Sequence, residues 1–227
     1  MVEGAGSRTK VLVVEDHAAL GEALLFAFSF ESDIEVVGLA PTVAAALSSV
    51  AESRPDVVLM DVRLPDGNGI DATRQVLELH PSAAVVVLTA HSDPLFALRA
   101  AEAGAAGFVP KDVRIAKIVA AVRAVRAGEV AVDPTVLHSL LAQAAADGEG
   151  AGDGRPVAGA GLATDQLAIL ELLAQGAGLP GIGDKLGLDD VAVGAAVTTT
   201  LAQLGARSPL EALVLAARQS LLSPGPG

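Results

Sequence analysis

The sequence predicts an α/β fold in two parts, a doubly wound, five-stranded parallel sheet followed by a smaller all-α domain of four helices. Two observations lead to this prediction. Between residues 10 and 127, apolar runs of strand length alternate with segments whose apolar residues recur at helical spacing, which is typical of βαβ units. Between residues 162 and 222, four segments have helical periodicity and none is typical of a strand. A chain of 227 residues is long enough for two small domains.

The composition excludes several classes of protein. The chain has 27 acidic and 15 basic side chains, and its net charge of −12 disfavours non-specific binding to nucleic acid or to an anionic membrane. It has no cysteine, which excludes disulfides and thiolate metal sites. No apolar run reaches the ~18 residues of a membrane helix, and the N-terminus lacks an apolar signal core. We therefore expect a soluble, cytoplasmic protein without a membrane partner.

Each predicted strand is an apolar run that leads into polar residues. The five runs are residues 10–14, 34–39, 57–60, 85–88 and 106–109. The run at 57–60, Val-Val-Leu-Met, is typical of a strand that is buried on both faces of a parallel sheet. It leads directly into Asp61. The carboxyl edge of such a sheet is where open α/β folds bind their ligands.

The helices predicted after these strands carry apolar residues three or four positions apart. They cover residues 17–28, 43–53, 71–79, 94–103 and 113–127. With the strands they predict a domain over residues 8–130. A connecting helix at 137–146 and a flexible, acidic linker then complete residues 131–161. The helical domain takes residues 162–222, and we expect residues 223–227 to be disordered.

Charged and hydroxyl side chains follow four of the five predicted strands. They are Glu15 and Asp16 after the first strand, Asp61 after the third, Thr89 after the fourth and Lys111 after the fifth. Right-handed crossovers would bring these strand ends to one edge of the sheet. Three carboxylates at that edge repel one another unless a cation lies among them. Oxygen ligands without histidine or cysteine suit Mg²⁺.

These residue types predict phosphoryl transfer to Asp61. A carboxylate can act as a nucleophile and form an aspartyl phosphate. The charge that develops on the phosphoryl oxygens then requires a metal ion and a cation, which Lys111 supplies, while Thr89 supplies a hydroxyl donor. Taken alone, each residue has an ordinary structural explanation, such as a turn or helix-cap role for Asp61. Their joint occurrence at matching strand ends favours the site.

The residues around these positions form recognisable motifs. They are Val-Val-Glu-Asp-His at 13–17, Leu-Met-Asp-Val-Arg-Leu-Pro at 59–65, Asn-Gly at 68–69, Leu-Thr-Ala at 88–90 and Gly-Phe-Val-Pro-Lys-Asp at 107–112. With these motifs, residues 10–128 resemble the flavodoxin-like receiver domains of two-component response regulators. The resemblance implies that a histidine kinase is the partner that phosphorylates Asp61. It also implies a phosphoacceptor protein and not an enzyme, apart from its own phosphotransfer and dephosphorylation.

The resemblance further implies roles for single residues. The ligands of Mg²⁺ would be Glu15, Asp16, Asp61 and the main-chain carbonyl of Arg63. Thr89 and Lys111 would contact the phosphoryl oxygens. Phe108 would be the switch aromatic, whose rotamer follows Thr89. No site residue departs from the family pattern, so we expect this domain to be competent for phosphorylation.

The C-terminal helices resemble the helix-turn-helix output domain of NarL/LuxR-type regulators. The matching segments are Leu-Glu-Leu-Leu-Ala-Gln-Gly at 170–176 and Leu-Ala-Gln-Leu-Gly-Ala at 201–206. The resemblance implies a role in transcription regulation and a contribution of the last helix to dimerisation. The expected partner is therefore a second copy of the chain or a related regulator.

The expected DNA-facing surface departs from the family pattern. Residues 192–197 are Ala-Val-Gly-Ala-Ala-Val, whereas the family shows Thr-Val-Lys-x-His-Val, and Gln203 replaces the familiar lysine. Asp189 and Asp190 lie at the end that would enter the groove. From residue 151 onward there are seven acidic and only four basic side chains. Contacts from lysine and arginine to DNA phosphates supply most non-specific affinity. Because this surface lacks the basic residues of the family, we assign no DNA-binding residue.

Three functions follow from these observations. The first is a transcription regulator that binds DNA directly. The second is a phosphorylation-dependent protein-interaction module, for example one that forms inactive heterodimers with a related DNA-binding regulator. The third is a phosphate sink, in which the helical domain matters little. The sequence leaves these alternatives open.

Overall fold

The computed structural model describes residues 8–90, 93–149 and 162–222. A parallel sheet with helices on both faces forms the first part of the chain, called here the sheet domain, and helices form the remainder, called the helical domain. The α/β class predicted from the sequence is confirmed. The acidic linker predicted up to residue 161 lies outside the described residues from residue 150 onward, and so does the tail at 223–227.

Six parallel strands form the sheet in the order β2-β1-β3-β6-β7-β8. In chain order the strands are β1 (Thr9–Val14), β2 (Ile34–Ala40), β3 (Val57–Asp61), β4 (Arg63–Leu64), β5 (Gly67–Asn68), β6 (Ala84–Thr89), β7 (Gly107–Pro110) and β8 (Ala131–Val132). The prediction of five strands was wrong by one. The extra strand, β8, pairs with β7 but has only two residues, too few to show a strand pattern. Strands β4 and β5 form a separate antiparallel hairpin in the loop after β3.

Five helices cover the two faces of the sheet. They are α1 (Ala18–Phe28), α2 (Val43–Ser53), α3 (Gly69–Leu79), α4 (Pro94–Glu102) and α5 (Ile115–Arg126). Successive residues of a strand point to opposite faces, so β3 contributes to two cores. Val58 and Met60 pack in the core with α2, α3 and α4, and Val57 and Leu59 pack in the core with α1 and α5. All four side chains are fully buried, as the apolar run predicts.

The connecting helix α6 (Pro134–Glu149) follows the sheet. The four helices that the periodicity predicts come after it. They are α7 (Thr164–Ala174), α8 (Leu179–Leu186), α9 (Asp190–Leu204) and α10 (Pro209–Arg218). The connecting helix α6 is longer than predicted. It begins at Pro134 because the Asp133 carboxylate accepts a hydrogen bond from the amide of Thr135 at 2.9 Å and Pro134 occupies the first turn. No helix among the described residues has both the length and the apolar character needed to cross a membrane.

The two domains are docked in this structure, a point on which the sequence is silent. Helix α10 packs against α4 and α6, and one core joins Leu98 of α4 to Leu213 and Val214 of α10. The buried Ser208 hydroxyl donates a hydrogen bond to the main-chain carbonyl of Ala105 at 2.7 Å. The guanidinium of Arg218 pairs with the carboxylate of Glu102. Apolar burial, a buried hydrogen bond and an ion pair therefore hold α10 on the sheet domain.

Replacing Ser208 with alanine should weaken this docking. The hydroxyl also accepts a hydrogen bond from the amide of Glu211 at 3.1 Å, so it caps α10 while it bonds to Ala105. Loss of the cap and of a buried hydrogen bond should lower the free energy of unfolding by about 2 kcal/mol. Urea denaturation and hydrogen exchange in α10 measure this change. Ser139→Ala removes an exposed hydroxyl in α6 and should change stability by less than about 0.5 kcal/mol. Equal effects of the two substitutions would contradict the docking role.

Candidate functional site

All but one of the predicted site residues line one cavity at the carboxyl edge of the sheet. Strands β1, β3, β6 and β7 are neighbours in that order, which brings the residues that follow them together. The cavity has a volume of about 740 Å³. Its lining residues are Glu15, Asp16, His17, Leu20, Asp61, Val62, Arg63, Asn68, Thr89, Ala90, Phe96 and Lys111. They include six of the seven site residues singled out from the sequence, namely Glu15, Asp16, Asp61, Arg63, Thr89 and Lys111.

The three carboxylates form a compact group. One oxygen from each of Glu15, Asp16 and Asp61 lies within 4.8 Å of the others. Glu15 and Asp61 are buried, with exposed fractions of 2% and 4%, whereas Asp16 is exposed to solvent. Burial raises the pKa of the Glu15 carboxyl group above its usual value, and the negative charge of Asp61 acts in the same direction. Three carboxyl groups, two of them buried, therefore lie close together in this cavity.

Lys111 is the cation that faces this group. Its Nζ lies 2.7 Å from Oδ2 of Asp61 and 2.7 Å from Oε2 of Glu15, and it donates a hydrogen bond to Oε1 of Glu15 at 2.9 Å. These contacts lower the pKa of Glu15 and oppose the effect of its burial. Although Nζ is close to Oε2, no hydrogen bond is aligned on this buried oxygen from any described residue.

The cluster suits a hard divalent cation. Three carboxylates face one lysine, so the group retains an excess of negative charge. The donors are oxygen atoms only, which Mg²⁺ prefers, and the buried Oε2 of Glu15 offers a lone pair that no aligned donor uses. The residues present therefore fit a magnesium ion, which would occupy the space bounded by Glu15, Asp16 and Asp61.

The loop after Asp61 is held close to it. Oδ1 of Asp61 accepts a hydrogen bond from the amide of Arg63 at 3.2 Å, and the amide of Gly69 donates to the carbonyl of Val62 at 2.9 Å. A Cβ at Gly69 would lie 1.8 Å from the carbonyl oxygen of Asp61, so only glycine fits there. Asn68 caps α3 by accepting from the amide of Ile70 at 2.8 Å, and α3 therefore begins two residues before its predicted start.

Thr89 and Lys111 are joined through the main chain. Thr89 ends β6, is 3% exposed and pairs in register with Pro110 of β7. The amide of Lys111 donates to the carbonyl of Thr89 at 2.7 Å, which fixes the two residues side by side. Phe108, by contrast, does not line the cavity. It is 1% exposed and packs in the core that includes Ala97 of α4.

Sequence reasoning missed one prominent lining residue. Phe96 lies in the first turn of α4 and contributes to the cavity wall. No pattern could have identified it, because a single aromatic residue in an amphipathic helix is equally typical of the core. His17 lines the cavity, and its amide donates to Oε1 of Glu15 at 3.1 Å.

The second candidate surface is the outer face of α9. Asp189 caps this helix by accepting from the amide of Ala192 at 2.8 Å. Val191 is 82% exposed, and the hydroxyl of Thr198 donates back to the carbonyl of Gly194 at 2.8 Å. The exposed residues of the helix are Asp190, Val191, Ala195, Thr198, Thr199, Ala202 and Gln203. Helix α9, which the structure describes completely, thus presents no lysine or arginine.

Comparisons with known proteins assign the chain to a family. A model of the response regulator receiver domain matches residues 11–123. The DNA-binding transcriptional activator DevR/DosR of Mycobacterium tuberculosis is 34% identical over 208 residues, which cover 91% of this chain and 93% of that protein. A solved two-component response regulator of the LuxR family, from Aurantimonas sp. SI85-9A1, is 32% identical with a TM-score of 0.57, and the match covers 60% of this chain and 98% of that one.

A further solved structure extends the likeness in fold to the helical domain. The RcsB response regulator of Salmonella typhimurium has a TM-score of 0.55 over 88% of this chain and 94% of that one. At 20% sequence identity this similarity concerns the fold alone. The order of a parallel sheet followed by a helical domain is therefore shared with a solved regulator over most of the chain.

Proposed function

Because this chain belongs to the NarL/LuxR-type two-component response regulators, we propose that Asp61 accepts the phosphoryl group in its receiver domain. In the proposed division, residues 8–130 form the receiver, 131–161 connect the domains and 162–222 form the output domain. One observation carries the assignment. Lys111 contacts Asp61 and Glu15 within one cavity, at 2.7 Å from each carboxylate, and Asp16 adds a third carboxylate.

In the proposed reaction, a carboxylate oxygen of Asp61 attacks the phosphorus of a kinase phosphohistidine. The oxygen–phosphorus bond forms as the phosphorus–nitrogen bond breaks, and the imidazole leaves with the electron pair. Nζ of Lys111 holds positive charge beside the phosphoryl oxygens, and the Thr89 hydroxyl donates a hydrogen bond to one of them. Bound Mg²⁺, held by the ligands Glu15, Asp16, Asp61 and the carbonyl of Arg63, would neutralise further charge on these oxygens.

The proposed signal leaves the site through α4. Thr89 ends β6 just before this helix, and Phe108 of β7 packs in the same core as Ala97 of α4. We propose that the rotamer of Phe108 follows the position of the Thr89 hydroxyl. Phe96 lines the cavity at one side of α4, and Leu98 packs against α10 at the other side. One helix therefore contacts both the phosphorylation site and the output domain.

We propose that the output domain regulates transcription with weakened direct DNA affinity. The mycobacterial relative is named as a DNA binder, which favours DNA as a partner. The exposed face of α9 opposes tight binding, because it offers phosphates no cation and presents Asp190 at its start. The second candidate is a protein-interaction module that pairs with another copy or with a related regulator, favoured by the exposed Val191. A phosphate sink is the third candidate function. We also propose a cytoplasmic location for the protein.

A mobility-shift experiment separates these functions. Phosphorylated protein and DNA from its own promoter would be mixed at low salt and then titrated with salt. We expect a weak shift with a shallow salt dependence, since each missing phosphate contact lowers the slope by about 0.9. A tight complex with a steep slope would refute weakened DNA affinity. Co-purification of a related regulator would support the interaction module, and rapid dephosphorylation without a partner would support the sink.

A further inference from the structure

The hairpin after the phosphoacceptor strand is closed at its tip by Asp66. Strands β4 and β5 pair through Arg63 with Asn68 and through Leu64 with Gly67, so Asp66 lies in the turn between them. The base of the hairpin is fixed at Asp61, where Gly69 packs against the main chain. Arg63, whose carbonyl is the proposed fourth Mg²⁺ ligand, lies between the base and the tip. The position of that carbonyl therefore depends on both ends of the hairpin.

Asp66 joins the tip of the hairpin to another element. Its Oδ1 accepts a hydrogen bond from the amide of Val43 at 2.7 Å, and its Oδ2 accepts from the amide of Ala44 at 3.0 Å. These are the first two amides of α2, which begins more than twenty residues earlier in the chain. Thr42 separately accepts from the third amide, that of Ala45, at 3.1 Å. The amides at the start of α2 are thus shared between a local cap and a carboxylate from the hairpin.

The charge of the Asp66 carboxylate and the burial of α2 both favour this interaction. Hydrogen bonds from the amides of Ala44 and Val43 lower the pKa of Asp66 below its usual value. The N-terminus of a helix also favours a negative charge. Helix α2 is fixed in turn, because Ala46 and Val50 are completely buried in the core under the sheet. The hairpin tip is therefore hydrogen-bonded to a helix that is anchored in the core.

We propose that Asp66 is a positioning residue for phosphoryl transfer, which holds the Arg63 carbonyl in place for Mg²⁺ by fixing the hairpin to α2. This inference rests on the proposed function of Asp61. Asp66 does not line the cavity, so it would contact neither a bound metal ion nor a phosphoryl group on Asp61. Its effect passes through the hairpin main chain, so it should alter Mg²⁺ affinity and leave the chemical step unchanged.

Substitution of Asp66 in the full-length chain tests the inference. Asp66→Asn keeps one acceptor and loses the charge, whereas Asp66→Ala loses both. Mg²⁺ affinity would be measured by NMR titration with the metal alone, and phosphorylation by labelling with acetyl phosphate. Residues that orient metal ligands change affinity by about 10- to 100-fold, and for one ligand of four we expect about tenfold weaker binding in Asp66→Ala. Asp66→Asn should fall between Asp66→Ala and the wild type, and labelling should recover to within about twofold at saturating Mg²⁺.

Two control variants separate positioning from helix stability and from charge. Thr42→Ala removes the other cap of the same helix without touching the hairpin, and Asp189→Asn removes a capping carboxylate from α9 in the output domain. Both should bind Mg²⁺ as the wild type does. Unchanged Mg²⁺ affinity in Asp66→Ala, or an equal loss in Thr42→Ala, would overturn the inference. Absence of labelling in the wild type would instead refute the proposed function, so the two failures are distinguishable.

Discussion

Replacing Asp61 with asparagine should abolish phosphorylation of the chain. The amide oxygen has the same position and size as the carboxylate oxygen but is not a competent nucleophile for phosphorus, so labelling by acetyl phosphate should fall by roughly three orders of magnitude or more. The fold should persist. Lys111 would keep its contacts with Glu15 at 2.7 and 2.9 Å, and the repulsion between two buried carboxylates would be removed.

The labelling experiment requires a matched control. Asp71→Asn makes the same chemical change at an exposed residue of α3, where the carboxylate pairs with Arg74 of its own helix. This variant should be labelled as the wild type is. If Asp61→Asn retained its label at full stoichiometry, the nucleophile would lie elsewhere and the assignment of the cavity would be wrong.

Adding two lysines to helix α9 should strengthen the weak DNA affinity that we propose for the natural chain. Gly194 and Gln203 occupy positions where NarL/LuxR-type regulators have lysine. A Cβ at Gly194 would meet no atom within 4 Å. Two new phosphate contacts should steepen the slope of log affinity against log salt by about 1.8 and strengthen binding roughly 60-fold at ~0.1 M salt. Replacing Gly194 should also favour the helix by up to ~1 kcal/mol.

This change is measured as the affinity for a DNA duplex of arbitrary sequence at increasing salt concentrations. The control is Gly194→Gln, which adds a side chain of similar length without charge and should leave the salt slope unchanged. Two results would contradict the account of α9. If the natural chain already shows a steep dependence of affinity on salt, another surface contacts the DNA phosphates. If the double lysine variant shows the same salt dependence as the natural chain, α9 does not face the DNA.

The sequence predicted that these side chains cluster, because each of them lies at or just after the carboxyl end of a strand. The run from Val57 to Met60 fixes where β3 ends, and Asp61 must then emerge at the carboxyl edge. Parallel neighbours place Thr89 and Lys111 at the same edge without any knowledge of side-chain contacts. Alternation of strands and helices was therefore sufficient to predict the cluster, although not its distances.

Features that depend on short segments or on distant contacts could not be predicted. Strand β8 and the hairpin of β4 and β5 have two residues per strand, which is below the length at which periodicity is visible. The bonds of Asp66 to α2 join residues that are more than twenty positions apart. Docking of α10 depends on Ser208 and Arg218 meeting Ala105 and Glu102, residues more than 100 positions away in the sequence.

The most direct test of the account is to map the phosphoryl group on the natural chain. The protein would be incubated with acetyl phosphate, with Mg²⁺ or with a chelator, and its peptides would be analysed by mass spectrometry. The account predicts one phosphoryl group, on the peptide that contains Asp61, and its loss when Mg²⁺ is removed. A chain that gains no phosphoryl group, or gains it on another residue, would contradict the account.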